Sequence, residues 1–296
     1  MTKIDTPSGR DKRPAGRLLV APSVVVLFLW MIVPLALTIW FSFQRYLLLD
    51  PASRGFAGFD NYAFLVTDPD FWVSLTNTLL LLGAVLVITI VLGTLLAVLF
   101  NQSFPGRNVA RILAISPFFV MPTVSALVWK NLMLHPVYGV MSSVLRALGL
   151  PVPDLFATHP LAALVAIISW EWLPYALLVL LTAVQSIDNE QKEAARMDGA
   201  GPIAQFFYLT LPHLSRAIGV VVMIETIFLL TVFAEIFVTT NGGPGNASTT
   251  LAYLIFRSAL QDFNAGAASA GGIVAVILAN IVAFFLIRTV AKQLDA

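Results

Sequence analysis

The sequence predicts an all-α, membrane-spanning protein, and three observations carry that reading: composition, the length of the apolar runs, and the placement of the basic residues. Of 296 residues, 58% are hydrophobic and 11% charged, with a mean hydropathy of +0.88. Soluble globular chains carry about 25% charged residues. Six apolar runs, near 18–43, 77–99, 110–132, 160–185, 215–239 and 266–289, reach the roughly 20 residues that a helix needs to cross hydrocarbon. Backbone in lipid must satisfy its own hydrogen bonds, and these runs are far longer than barrel strands, so they read as helices. Twelve of the 17 Lys and Arg residues lie in four places: the N-terminal tail (Lys3, Arg10, Lys12, Arg13, Arg17), the second connection (Arg107, Arg111), the fourth (Lys192, Arg196, Arg216) and the C-terminus (Arg288, Lys292). Those ends are expected to be cytoplasmic.

In chain order, residues 1–16 form a polar cytoplasmic tail expected to be disordered, and residues 17–296 a single transmembrane domain. The first span is too long for a signal-peptide core and no A-x-A site closes it, so it is expected to be retained. The long outer connections, 44–76 and 133–159, contain apolar pieces such as Val137 to Leu150 that suit interfacial helices. Pro174 lies inside the fourth span, where it can kink the helix and free a carbonyl. In the sixth, Gly266 with Ala270 and Ala268 with Gly272 have small-xxx-small spacing, which predicts close packing against another helix, in this chain or in a partner.

Several functions are excluded by what the sequence lacks. Zero cysteines remove disulfides and thiolate chemistry, and His135, His159 and His213 are too scattered for a metal cluster. A net charge of +1 without a basic, aromatic-interleaved stripe gives no reason to expect nucleic-acid binding. There is no G-x-x-x-x-G-K-[ST] loop, so nucleotide phosphates have no cradle. No enzymatic activity is expected, and the chain is expected to bind no cofactor.

The polar island EAARMDGAGPIAQFFYLTLP, residues 193–212, interrupts this apolar chain between the fourth and fifth spans. Asp188, with Gln191 three residues on, suits an N-cap with a capping-box partner, opening a helix that Gly199 can close in a left-handed conformation. Pro202 suits the first position of a second helix, with Ile203, Phe206 and Phe207 on one face and Pro212 expected to stop it. The small residues Ala194, Ala195 and Ala200 permit close approach, while Glu193, Arg196 and Asp198 can fix register in a partner's groove. The bland alternative is an amphipathic surface helix made of good helix formers.

Glu193, Ala194, Ala195, Asp198, Gly199, Ala200, Leu211 and Pro212 together resemble the EAA loop of the membrane subunits of ATP-binding cassette (ABC) importers; Leu209 stands where the family more often has Ile. TTNGGPGNASTTLAYLIFRSAL (239–260), with Gly242, Gly243 and Pro244, resembles the outer-loop signature of the carbohydrate branch, which includes the maltose and glycerol-phosphate permeases. NTLLLLGAVLVITIVLGTLLAVLF, R-x-L-A-I-S-P and ALVWKNLM, within residues 75–133, resemble the same branch, although Gly139 to Ser142 depart where relatives commonly end in Asn. Residues 265–288 look most like the sorbitol and mannitol permeases. This resemblance implies a bacterial-type inner-membrane permease with both termini cytoplasmic and a coupling loop over 188–213. It implies an ABC ATPase dimer carrying ATP and Mg, a second permease subunit, and an extracytoplasmic solute-binding protein. Glu193, Ala194, Ala195, Asp198, Gly199, Ile203, Phe206, Leu211 and Pro212 would meet the ATPase.

Ionisable groups inside spans are costly and are functional candidates by default. Glu171, Glu225 and Glu235 qualify, with Glu171 foremost because Trp170, Trp172 and Tyr175 flank it and suit a polyhydroxylated ligand. Glu235 reads rather as a gate or structural acid near the outer face. Asn77 and Asn280 can bond solute or tie helices together, and Trp170 and Trp172 can instead be interfacial or packing residues. The rival function is an ion-coupled secondary transporter, which would use buried acids and six helices but should show internal repeats.

Overall fold

A computed structural model describes residues 14–294. The tail expected to be disordered thus lies outside the described residues, except for its last three, which open the first helix. Helix α1, Pro14–Ser42, runs through Pro22 and Pro34 and buries none of its apolar window against the rest of the chain. A short hairpin follows, β1 (Gln44–Arg45) with β2 (Gly55–Phe56), and then α2, Asp60–Thr67. Tyr62 Oη donates to Ser42 Oγ at 2.7 Å, and Asn61 Nδ2 donates to the Ser42 and Gln44 carbonyls, so α2 is tied to the end of α1.

Helix α3, Pro69–Asn101, opens eight residues before the expected span, because Asp68 caps it through Asp70 N at 2.9 Å and Pro69 suits its first position. The third span, expected as one helix over 110–132, is broken. It comprises α4 (Arg107–Ile115) with a 3-10 turn (Ser116–Phe119), then α5 (Pro122–Val128) with a π turn (Trp129–Met133), the two halves bent by 107°. Pro122 explains the position of the bend: it lacks an amide donor and holds Met121 in the extended region at ψ 140°. In the 133–159 connection lie α6, Val140–Ala147, within the apolar piece noted above, and α7, Leu155–Thr158. Helix α8 spans Pro160–Gln185 and continues through Pro174.

Two short helices follow, α9 (Asn189–Met197) and α10 (Pro202–Gln205), before α11 (Leu211–Leu229), with a π turn over Phe206–Thr210 between the last two. The expected stop at Pro212 does not occur. The wider turn closes with Leu211 N on Phe206 O, Pro212 falls at the second position of α11, and the rod Pro202–Leu229 is one span of 28 residues. The fifth span, expected unbroken to 239, instead breaks at residues 230–233 and resumes as α12, Ala234–Thr239. Helices α13 (Leu251–Leu260) and α14 (Ala265–Leu294) complete the bundle. Five helices among the described residues are long and apolar enough to cross a membrane, or six with the bent pair taken as one span.

Helices α3 and α8 form the centre. Leu81, Leu82 and Val85 meet Leu164 and Ile168, whereas Ala97 and Phe100 meet Ala176 to Val184, so the two run in the same direction. Lipid is as apolar as leucine, so association rests on close packing. Gly93 shows it: a Cβ there would sit 3.1 Å from the Ala176 methyl. The small residues of α14 also pack within this chain: Ala268 and Ala270 are buried, a Cβ on Gly266 would lie 2.3 Å from the Gln44 carbonyl, and one on Gly272 3.8 Å from Thr38 of α1.

Candidate functional site

The 188–213 segment is built as a helix, a turn and a second helix. Asp188 caps α9 by accepting from Glu190 N at 3.1 Å, and Gly199 ends it at φ 80°, with Ala200 N donating to Ala195 O at 2.9 Å. Gln205 Nε2 donates to Ala200 O at 2.7 Å and fixes the turn to α10. Glu193, Ala194, Arg196 and Asp198 are exposed on the first helix; Ala195 and Leu211 are half-buried and Pro212 is exposed. Beyond the turn, Ile203 and Phe207 are exposed while Phe206 is half-buried, its ring meeting that of Phe207 edge-on at 5.1 Å. Met197 and Tyr208 extend the apolar surface and are 89% and 85% exposed. Ser186 Oγ lies 3.0 Å from His213 Nε2, joining the end of α8 to the start of α11 across the base of the segment.

The acids predicted inside the spans are buried. Glu225 is 0% exposed, its Oε2 accepts from Thr89 Oγ1 at 2.7 Å, and its Oε1 is unpartnered. Glu171 Oε1 is also unpartnered, as is Ser125 Oγ of α5, and Ser125 and Glu235 of α12 are among the polar neighbours of this carboxyl. Rings pack together on the helices that carry these acids. Trp172 meets Tyr175 at 6.0 Å and Phe228 of α11, three residues from Glu225, at 5.1 Å, and Phe118 stacks on Tyr175 at 6.3 Å. The fold therefore brings Glu171, Trp172, Tyr175 and Glu225 into one region and adds Thr89, Phe118, Ser125, Phe228 and Glu235. Asn280 is not among them: it is exposed on α14 and donates to Val276 O of its own helix at 2.8 Å. Trp170 packs edge-on against Trp129 at 5.7 Å, which is the packing alternative.

The sequence profile of the family described as "Binding-protein-dependent transport system inner membrane component" matches residues 89–295, which include the 188–213 segment, the buried acids and the Gly-Gly-Pro loop. The chain belongs to that family. Among relatives of this permease component, a trehalose/maltose transport system permease protein of Thermococcus litoralis is 32% identical over 257 residues, 86% of each chain. A sulfoquinovosyl glycerol transport system permease protein of Agrobacterium fabrum is 31% identical over 278 residues, 93% of this chain and 90% of the relative. A crystal structure of a bacterial alginate ABC transporter in complex with its alginate-bound periplasmic protein contains a chain of the same fold, with a TM-score of 0.78, 24% identity and 92% of each chain covered.

In this permease the Gly242-Gly243-Pro244 loop is stitched into the bundle. Gly242, at φ 83°, takes Ser248 N and Thr249 Oγ1 on its carbonyl, each at 3.1 Å, and a Cβ there would lie 2.5 Å from Thr249 Oγ1. Asn77 of α3 donates to the Asn246 and Thr249 carbonyls at 3.0 Å, so this Asn ties helix to loop. Arg257 of α13 donates to Asn246 Oδ1 at 2.8 Å and pairs with Asp70 Oδ2 at 2.9 Å. Sequence reasoning missed the Asp70–Arg257 pair and the Ser186–His213 contact, because each joins residues that only the fold brings together.

Proposed function

We propose that this permease component forms half of the path of an ABC importer for a sugar or polyol, with the 188–213 segment as its coupling element. The carrying observation is the surface over Met197, Ile203, Phe207 and Tyr208, an exposed apolar knuckle on a connection whose turn is locked by its own hydrogen bonds. Such a shape suits a groove in a separate ATPase dimer, which would bind ATP and Mg. Glu193 and Asp198, both exposed, would pair with basic groups of that groove. The segment and both termini are cytoplasmic on this reading, which the basic residues support. A second permease subunit completes the path, and a solute-binding protein delivers cargo to the opposite end. The ion-coupled alternative leaves this knuckle without a role.

The sugar or polyol class is supported by relatives whose names specify trehalose and maltose or a sulfoquinovosyl glycerol. It is also supported by the side chains that α8 and α11 bring together around Glu171 and Glu225. Ring faces of Trp172 and Tyr175 suit the C–H faces of a polyol, and unpartnered carboxylate oxygens suit its hydroxyls.

The test is the complex reconstituted in proteoliposomes with its binding protein, with ATP hydrolysis and uptake measured across polyols, monosaccharides, disaccharides and amino acids. Stimulation by a carbohydrate is expected, and a response to amino acids alone would overturn the substrate class. Glu193→Lys should reduce uptake at least about tenfold while leaving insertion and thermal stability unchanged, since it reverses one docking charge on an exposed site. Normal uptake by that variant would remove the docking role.

A further inference from the structure

Helix α6 is turned inside out relative to a helix of a soluble protein. Its polar side chains are all committed to the turn that precedes it. Ser142 Oγ donates to His135 O at 2.6 Å, Ser143 Oγ to Gly139 O at 3.0 Å, and Arg146 to the carbonyls of Pro136 and Val137. Gly139 makes this close return possible, since a Cβ there would lie 2.6 Å from His135 O and 2.8 Å from Met133 O. Away from Ser143 and Arg146, which are exposed on the polar side, the surface of the helix is apolar. Val140, Met141, Val144, Leu145 and Leu148 share an arc of about 140° at 100° per residue, and all but Leu145 are exposed, from 48% at Met141 to 66% at Leu148.

We propose that α6 is an interfacial anchor whose apolar arc lies among the phospholipid acyl chains just below the headgroups, in the leaflet at the end of the bundle opposite the 188–213 segment. Eight residues span about 12 Å, too short to cross a bilayer but suited to lying along its surface. The exposed Leu132 and Met133 end the broken third span six residues before α6 opens, so exposed apolar surface adjoins the arc along the chain. A protein interface needs about one hydrogen bond per 100–200 Å², and this arc offers no donor or acceptor, whereas hydrocarbon needs none. Tyr138, exposed and stacked on His135 at 3.6 Å, sits where an amphipathic ring at headgroup level belongs.

The chain contains no cysteine, so Val140→Cys, Val144→Cys and Leu148→Cys each give a single labelling site. Each is labelled with the fluorophore NBD and reconstituted, as the permease alone and as the complete transporter, in nanodiscs of phosphatidylcholine and phosphatidylglycerol. Brominated acyl chains should quench emission by about twofold or more in both forms, and aqueous iodide should have little effect, as for a helix buried about 5–10 Å into the boundary. Adding Val144→Asp to the Leu148→Cys label should reverse that pattern. Iodide quenching without bromolipid quenching would overturn the proposal. So would shielding that arises only after the second permease subunit or the binding protein is added, because the arc would then be a protein contact.

Discussion

The 240–250 connection and the 188–213 segment both turn through glycines at positive φ, Gly242 at 83° and Gly199 at 80°, yet they are built for opposite uses. Around Gly242 there is no room: Thr249 and the Tyr253 ring would meet a Cβ at 2.5 and 2.8 Å, and Tyr253 Oη donates to Asn241 Oδ1 at 2.7 Å. Around Gly199 a Cβ would meet nothing within 4 Å, and the neighbouring apolar residues point away from the chain. One connection is held by the bundle, whereas the other has a locked shape and an unoccupied surface. A glycine can therefore mark a close approach or only a backbone conformation, and its neighbours decide which.

Substitutions should separate these two kinds of glycine by what they damage. Gly242→Val combines a steric clash with an unfavourable φ and should destabilise the permease by roughly 3 kcal/mol or more, read as a lowered unfolding midpoint in detergent. Unchanged stability would mean that the loop is not stitched in. Gly199→Val meets no neighbour, so its unfolding midpoint should fall less than that of Gly242→Val, while ATPase stimulation by the loaded binding protein is lost as the turn changes shape. Retained stimulation would break the contrast. Arg257→Ala removes bonds to Asp70 and Asn246 and should cost about 1 kcal/mol, the ion pair being about a third exposed and therefore screened. A double-mutant cycle with Asp70→Ala isolates the pair's share. The smallest effect is expected at Asn280→Ala, within about 0.5 kcal/mol and with uptake near normal; a large loss of uptake would place α14 on the solute path.

Most of the 188–213 segment was legible because its shape rests on local chemistry: Asp188 as a cap, Gly199 as a left-handed end, Pro202 as a first residue. Pro212 misled in the same way, since a proline stops a regular helix but not one that widens into a π turn just before it. Hydropathy located the spans but was blind to their breaks. Pro122 stands at the bend in the third span and was passed over in favour of the apolar run, whereas the break at Leu230 to Phe233 contains neither proline nor glycine and left no mark. At the candidate solute site, Glu171, Trp172 and Tyr175 were found as sequence neighbours. Glu225 was found as a costly charge, while Thr89 and Phe118 carry no such sign and appear only through packing.

The unbroken rod from Pro202 to Leu229 has a mechanical consequence. Its 28 residues measure about 42 Å, so a tilt of about 5° at its exposed end would carry the far end sideways by about 4 Å. That displacement arrives at residues 230–233, where the rod stops before α12 begins at Ala234. A few degrees at one surface of the membrane would thus become nearly the width of a side chain beside Glu235, delivered at the break that hydropathy could not see.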